Sequence, residues 1–181
     1  DLQSHGKLDH DIYRLDAHGT KGHFLSNKLW LQKEQRLETE EEFTARIQED
    51  LKVSKQEIQD TLSIPVVSFA FPFSDFGDNS INFPGAQPIL LKAVRDVYPL
   101  AFFQISDSNG YTFNYPGTDT FLMKRITVKP EWSGSDLLGM FEKGSEKSLP
   151  FASTLDISKH KEWVTAWGVT HKTQNGFEIS A

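Results

Sequence analysis

The sequence lacks cysteine altogether, which excludes a disulfide scaffold, and its 12 glycines and 8 prolines are too few for a collagen-like or disordered chain. Basic residues are also scarce, since 19 Lys and Arg face 25 Asp and Glu and leave a net charge of -6. A nucleic-acid-binding protein needs a basic surface that neutralises phosphates, so we expect no nucleic-acid partner. No apolar run approaches the roughly 20 residues that cross a bilayer, and we therefore expect no transmembrane segment in this chain.

The length of the chain, by contrast, suits a globular protein. Its 181 residues, of which 38% are hydrophobic, are enough for one domain with a true core and too few for two full ones. The first residue is Asp1 and not Met, and no signal-like stretch precedes the first apolar residue. We therefore expect the chain to start partway through a strand of a longer protein, with any targeting segment upstream.

The clearest local signal is a helix followed by a strand. Thr39 and Glu42 have the spacing of a capping box, and apolar residues then recur every three or four positions. This pattern predicts a helix from Thr39 to Leu62, which Pro65 prevents from continuing. The apolar stretch 65–73 that follows predicts a strand buried on both faces.

The alternation of helices and strands continues along the chain, whereas residues 1–38 are polar and irregular. Further predicted elements are a helix over 89–98, a strand over 100–105, a strand over 121–128 and a helix over 135–143 that Ser135 caps. Short apolar strands that alternate with helices indicate a mostly parallel α/β sheet or barrel.

The last segment has a different character. Two strand-like runs, 163–171 and 177–179, flank the turn dipeptide Asn175-Gly176 and predict a β-hairpin. The hairpin is either the end of the same domain or the start of a second, β-rich module. Two tryptophans in the first run favour the second module, because large apolar side chains need to be covered. We therefore place a domain boundary after residue 155.

The first candidate for chemistry is the pair His5 and His10 in the segment SHGKLDH, because imidazole pairs bind Zn²⁺, Ni²⁺ or Fe²⁺. Positions i and i+5 lie about 140° apart on a helix and on opposite faces of a strand, so the two rings converge only if the chain turns, as Gly6 permits. A structural or solvated role is the commoner alternative for such histidines. His18 and His23 repeat the spacing, and for them we predict a structural or loop role.

The second candidate is Phe71-Pro72-Phe73, at the end of the predicted buried strand. A core strand that leaves the sheet is the simpler interpretation. Alternatively, Pro72 fixes the exit direction so that the backbone N–H groups after it face the crevice, where they would stabilise an oxyanion.

Together the motif SH-x4-H, the long amphipathic helix, the stretch SFAFPFSDFG and the FFQI strand resemble the polysaccharide deacetylases of carbohydrate esterase family 4, the NodB homology domain. The nearest variety is the extracellular poly-N-acetylglucosamine deacetylases, and the resemblance covers roughly residues 1–155. It implies a distorted (β/α) barrel. It also implies a divalent metal held by one Asp and two His, which polarises the acetamide carbonyl and lowers the pKa of a bound water. Zn²⁺ is the first expectation, with Ni²⁺, Co²⁺ or Fe²⁺ as alternatives.

The resemblance also implies roles for particular residues. His5 and His10 match the two metal-ligand histidines, and Phe73 matches the aromatic residue whose backbone N–H helps to form the oxyanion hole. Trp132 is a candidate for stacking on a sugar ring. The implied substrate is an acetylated amino-sugar polysaccharide, and the implied location is extracellular or at the cell surface.

The sequence departs from the family pattern at several points. The metal-binding Asp and the catalytic-base Asp of the family precede the histidines, so we expect a segment upstream of Asp1 to supply them and this chain alone to be inactive. Phe69 stands where the family has an Arg, and the Leu-x-His motif of the family's general acid has no match in this chain. In the extracellular enzymes that motif is permuted to the front of the domain, so the resemblance implies that it too lies upstream. A non-catalytic carbohydrate-binding protein on the same scaffold, with Trp132, Trp163 and Trp167 as stacking platforms, is therefore the alternative. The third alternative is an unrelated α/β protein.

Overall fold

A computed structural model of the chain describes residues 2–105, 114, 117–145, 169–173 and 176–180. The chain divides into two compact units, Asp1–Glu146 and Lys147–Ala181. The boundary that the sequence predicts after residue 155, and the side chains of Trp163 and Trp167, lie outside the described residues.

The first unit alternates strands and helices, as the sequence predicts. Its strands in the described residues are β1 (Ile12–Arg14), β2 (Lys21–His23), β3 (Trp30–Leu31), β4 (Arg36–Leu37), β5 (Ser68–Ala70), β6 (Leu100–Ile105) and β7 (Met123–Ile126). Its helices are α1 (Glu40–Leu62), α2 (Ala86–Val97) and α3 (Gly134–Ser145).

The central sheet is parallel, with β6 between β5 and β7. The N-terminal segment extends it, because Ser4 forms a parallel bridge with Phe69. The Ser4 amide donates to the Ser68 carbonyl at 3.2 Å, and the Ala70 amide donates to the Ser4 carbonyl at 2.9 Å. The expected mixed α/β fold is confirmed, but the expected barrel is not, since the sheet formed by the described residues is open.

Helix α1 begins where its capping box predicts. The Glu42 amide donates to Thr39 Oγ1 at 3.2 Å, and the Thr39 amide donates to Glu42 Oε2 at 2.8 Å. The predicted apolar face is buried only in its first half, from Phe43 to Ser54, and Leu62 at the far end is 45% exposed. The helix therefore extends beyond the core at its C-terminal end.

Strand β5 is shorter than the predicted strand over 65–73, and it is not covered along its whole length. Pro72 begins a 3₁₀ turn, Pro72–Ser74, which ends the extended conformation. Val67, just before the strand, is 43% exposed, so the prediction of burial on both faces was wrong there. Continuous apolar sequence therefore overestimated the length of the strand, since it does not show where a chain leaves a sheet.

Other boundaries also differ from the sequence prediction. Helix α2 begins three residues earlier than expected, so Pro88 lies within its first turn, where a missing amide hydrogen costs little. Ser133, and not Ser135, caps α3: the Asp136 amide donates to Ser133 Oγ at 3.2 Å, and the Ser133 amide donates to Asp136 Oδ2 at 2.7 Å. Strand β6 has the predicted bounds, whereas β7 is shorter than predicted.

The segment before α1, for which no element was predicted, forms two antiparallel pairs, β1 with β2 and β3 with β4. Arg46 of α1 fastens this segment to the helix. Its guanidinium donates to both carboxylate oxygens of Glu38, at 2.7 and 2.9 Å, and to the carbonyls of Phe24 and Asn27, at 2.9 Å each.

Buried aromatic and aliphatic side chains fill the space between the helices and the sheet, and Tyr98 is the largest of those fully enclosed. Its hydroxyl lies 2.8 Å from the Leu51 carbonyl, 2.9 Å from Ser4 Oγ and 3.1 Å from Ser54 Oγ. This buried network joins α1 and the end of α2 to the N-terminal segment. It therefore anchors the backbone directly before His5.

The second unit contains an antiparallel pair in its described residues, β8 (Val169–Thr173) and β9 (Gly176–Ser180). The pair lies in the segment where the sequence predicts a hairpin, but Gly176, predicted in the turn, pairs with Thr173 as the first residue of β9. Within the described part of the chain, no helix combines the length and apolar character that crossing a membrane requires.

Candidate metal centre

The site begins where the N-terminal segment leaves the sheet. Gly6 has a φ of +82°, a conformation that favours glycine, and the chain turns there. The turn brings the ring centroids of His5 and His10 to 5.1 Å, with 53° between the ring planes. The sequence required a turn at Gly6 if these rings were to converge, and the structure contains that turn.

His5 is held in one orientation and in one tautomer. Its Nδ1–H donates to the carbonyl of Ala70, the last residue of β5, at 2.6 Å. The other ring nitrogen, Nε2, then carries the lone pair, which is the arrangement found in histidines that bind metals. Burial lowers the pKa of His5, and the charge of Arg125 and the neighbouring His10 lower it further, although the bond to Ala70 acts in the opposite direction. The neutral ring that a metal requires is thus favoured.

Asp50 of helix α1 forms hydrogen bonds to the backbone of this turn. Its carboxylate accepts the amide hydrogen of Lys7 at 3.2 Å and that of Leu8 at 2.9 Å. Two charge-assisted bonds to consecutive amides fix the backbone between the histidines. Asp50 therefore fixes the path of the loop between the two histidines.

Asp9 lies inside the same turn and is buried. Neither of its carboxyl oxygens has a hydrogen-bond partner, and a Cβ added at Gly6 would lie 1.6 Å from Asp9 Oδ1. Burial, together with the nearby charge of Asp50, raises the pKa of Asp9 to about 8. Because of the close approach of Asp9, a side chain at position 6 would collide with its carboxyl group.

The histidine pair offers two ligand positions. Among the described residues, no three or more His, Asp or Glu side chains form a group that could hold a metal ion. Two neutral imidazoles suit a divalent transition metal such as Zn²⁺, which commonly takes further ligands from carboxylates and water. The described donor set thus fits part of a metal site.

Phe73, in the turn that follows β5, lies next to the histidine pair. The residue is 43% exposed, and its ring lies 4.6 Å from that of His10, centroid to centroid. Phe73 and Ser74 have φ values of +55° and +57°, a strained conformation for residues other than glycine. Ser74 Oγ holds the turn in place by donating to the Gln104 carbonyl at 2.7 Å and accepting from the Gln104 amide at 2.8 Å. Strain of this kind is often retained at functional sites.

The sequence therefore identified three residues that the fold brings together, namely His5, His10 and Phe73. The amide of Phe73 lies in the first turn of a helical segment, where amides have no partner within the helix. Its role as an oxyanion donor stays a prediction. Trp132 lies between β7 and α3, where the Lys129 ammonium is 5.9 Å from its ring centroid, and its role in sugar binding also stays a prediction.

His23, for which the sequence predicts a structural or loop role, lies next to Phe73. Its ring stacks on that of Phe73 at 4.6 Å with 13° between the planes. Its Nδ1 lies 3.1 Å from Oδ2 of Asp75, a fully buried residue, and Ser26 Oγ donates to the same oxygen at 2.5 Å. His18, for which the same role was predicted, lies exposed in the turn after β1, in agreement with a loop residue.

Sequence signals for this cluster were weak. Asp75 directly follows the end of β5 and its turn, a location where functional side chains gather in parallel sheets. Nothing local distinguishes His23 from His18, because its pairing with Asp75 joins residues 52 positions apart.

The fold is that of solved deacetylases. A de-N-acetylase from Aggregatibacter actinomycetemcomitans superimposes with a TM-score of 0.57 at 18% identity, covering 77% of this chain and 47% of that one. The deacetylase domain of BpsB from Bordetella bronchiseptica superimposes with a TM-score of 0.55 at 18% identity, covering 70% of this chain and 43% of that one. The chain thus spans less than half the length of either structure. No protein-family model and no curated protein matches its sequence.

The comparison confirms the predicted resemblance at the level of the fold. The chain shares the α/β architecture of the two deacetylases over 77% and 70% of its length. His5 and His10 lie together at the carboxyl end of the sheet in that architecture.

Proposed function

We propose that this chain forms the histidine-bearing part of a metal-dependent N-deacetylase that removes acetyl groups from an amino-sugar polysaccharide. One observation carries the proposal: His5 and His10 converge to 5.1 Å at the sheet edge of a fold shared with de-N-acetylases. The first ligand is already oriented by its bond to Ala70.

The proposed metal is a divalent ion, with Zn²⁺ first and Ni²⁺, Co²⁺ or Fe²⁺ as alternatives. His5 and His10 would hold it through ring nitrogens, and an Asp from outside the described residues would complete the set. A metal bound there supplies Lewis-acid activation of the acetamide carbonyl and of a water molecule. The strained turn at Phe73 would present its amide to the developing oxyanion.

The proposed substrate class is an acetylated glycan outside the cell or at its surface. Support for an acetylated substrate comes from the deacetylase activity named for the two proteins of the same fold. The net charge of -6 agrees with a substrate that becomes cationic as its acetyl groups are removed. The exposed ring of Phe73, next to His10, provides an apolar surface for a sugar ring.

Elemental analysis of metal per chain tests the proposal most directly. The measurement compares the wild type, the His5→Ala/His10→Ala double variant and the His18→Ala variant as a matched control. We expect bound metal in the wild type and in His18→Ala, and none in the double variant. Acetate release from an N-acetylglucosamine oligosaccharide, by protein that includes the upstream segment, should follow the same pattern. Absence of metal from the wild type with that segment present would overturn the deacetylase mechanism.

A non-catalytic carbohydrate-binding protein is the second candidate. The observation in its favour is that the described residues near the histidines offer two ligand positions and no third. Glycan binding that survives both a chelator and the double histidine substitution, without acetate release, would establish this alternative.

A further inference from the structure

We propose that a groove beside the histidine loop is a second binding site, which takes an amine with an apolar body. The groove lies between α1 and the segment that precedes this helix, and we name it the Tyr13 groove. It encloses about 440 Å³, within the range of about 300–1,000 Å³ that is typical of sites for small molecules. Its apolar walls are formed by Leu8, Tyr13, Phe24, Leu29 and Val53.

The walls of the Tyr13 groove are held in place by contacts of their own. The Tyr13 hydroxyl donates to the Leu8 carbonyl at 2.8 Å, and the Tyr13 ring lies 5.1 Å from that of Phe24, centroid to centroid. Phe24 is buried, and the guanidinium carbon of Arg46 lies 4.1 Å from its ring centroid. Because these side chains are already fixed, a ligand would bind without the cost of ordering them.

The two cations that border the groove are already paired. Lys7 forms an ion pair with Glu57. Arg46 donates to both carboxylate oxygens of Glu38 and to two backbone carbonyls. An anionic ligand would therefore have to compete with these carboxylates for either cation.

The carboxylates at the groove, by contrast, include one without a partner. Glu49 borders the groove from α1, and its carboxylate forms no hydrogen bond or ion pair within the described part of the chain. Asp50, next to it, accepts its hydrogen bonds from backbone amides and not from a cation. Burial raises the pKa of Tyr13, and the charges of Asp11 and Asp50 raise it further, against a smaller opposite effect of Arg46. The charges around the groove therefore favour a cationic head group.

An amphipathic amine fits both the apolar walls and the unpaired carboxylate. Its apolar body would lie against Tyr13 and Val53, and its ammonium group would pair with Glu49, which is exposed at the rim. An amino sugar fits less well, because the apolar walls leave its hydroxyl groups without partners. The Tyr13 groove also differs in location from the candidate metal centre, since neither His5 nor His10 lines it.

Titration of the full chain with matched probes tests the proposal. The probes are 2-phenylethylamine, 2-phenylethanol and 3-phenylpropionate, which share a phenyl ring and differ in charge. We expect the amine to bind with a Kd on the order of 1 mM, as suits a ligand of this size. The alcohol should bind about fivefold more weakly, because it lacks the partly exposed ion pair with Glu49. The propionate and glucosamine should bind more weakly than the amine.

Two variants and one spectrum locate the bound amine. Glu49→Gln should reduce the affinity for the amine to that for the alcohol, whereas Glu41→Gln, the same change in the first turn of α1, should not. Val53→Trp should fill the groove and abolish binding of both probes. In ¹⁵N NMR of the wild type, addition of the amine should shift the amide signals of Leu8 and Val53.

Several results would overturn this second site. They are no binding of the amine to the wild type, binding of the propionate or of glucosamine as tight as that of the amine, an unchanged affinity for the amine in Glu49→Gln, and amide shifts confined to residues outside the groove. None of these measurements needs a metal or turnover. Their outcome is therefore independent of the proposed function.

Discussion

The carboxylate of Asp50, in the middle of α1, accepts the amide hydrogen of Leu8 at 2.9 Å and so ties the loop between His5 and His10 to the longest helix. A second bond, from the Lys7 amide at 3.2 Å, makes the attachment bidentate. The metal-ligand candidates are thus held by a residue that lies outside the site. Four predictions follow from contacts of this kind.

Asp50→Asn should destabilise the protein and weaken metal binding. An amide side chain can accept one of the two amide hydrogens, but its own NH₂ group then faces the other. Leaving a buried donor unpaired costs about 1–3 kcal/mol. Denaturant unfolding and metal titration of the variant check both effects. The control is Asp60→Asn, the same change at an exposed position of α1, which should alter neither quantity. Equal behaviour of the two variants would contradict the role given to Asp50.

Gly6→Ala should cost more stability than Gly19→Ala. Both glycines have positive φ, at +82° and +90°, so both substitutions carry the backbone cost of about 1–2 kcal/mol. Only at Gly6 does the new Cβ meet another group, since it would lie 1.6 Å from Asp9 Oδ1, whereas nothing lies within 4 Å at Gly19. Urea unfolding of the two variants measures the difference. If Gly19→Ala proved as costly as Gly6→Ala, the close contact with Asp9 would be wrong.

Arg46→Met should be strongly destabilising, and adding Glu38→Gln should recover part of the loss. Removing one partner of a buried ion pair costs about 3–5 kcal/mol, because the other charge is left without compensation. Glutamine at position 38 removes that charge and still accepts the Leu29 amide hydrogen, which Glu38 accepts at 2.9 Å. Chemical denaturation of the single and double variants gives the comparison. A double variant that is less stable than Arg46→Met would refute this account of the pair.

Glu42→Gln should lower stability at neutral pH and have little effect near pH 2. Hydrogen bonds from Arg36 and from the Thr39 amide lower the pKa of Glu42 from 4.5 to about 2. The folded protein therefore favours the carboxylate, and the stabilisation is complete above pH 4.5 and is lost as the pH falls through about 2. Thermal unfolding of wild type and variant across this range measures the effect. The exposed Glu49→Gln change, in the same helix, is the control. A stability difference that stayed constant with pH would exclude this linkage.

Local elements were predictable where their determinants are close in sequence. The capping box of α1, for example, joins residues only three positions apart. The same locality explains why β6 has the predicted bounds, since an apolar run directly after a helix needs no distant partner to be recognised. Strand ends were less predictable, because β5 stops where the backbone turns at Phe73 and not where apolar residues stop.

The contacts of the candidate site were likewise predictable only in part. The sequence predicted that His5 and His10 could approach each other only if the chain turned between them, and Gly6 permits that turn. The pairing of His23 with Asp75 depends on two chain segments that meet only in the folded sheet, and no local pattern separates His23 from the exposed His18.

By itself, the sequence determined the class of fold and the first turn of α1, and it singled out two histidines and one aromatic residue that the fold brings close together. Periodicity and capping depend on neighbours within a few residues, so they can be recognised from the sequence alone. Only the tertiary structure decided that the sheet formed by the described residues is open, that Asp50 supports the histidine loop and that Asp75 orients a third imidazole. These features depend on burial and on contacts between residues more than 40 positions apart, which arise only when the helices and strands pack.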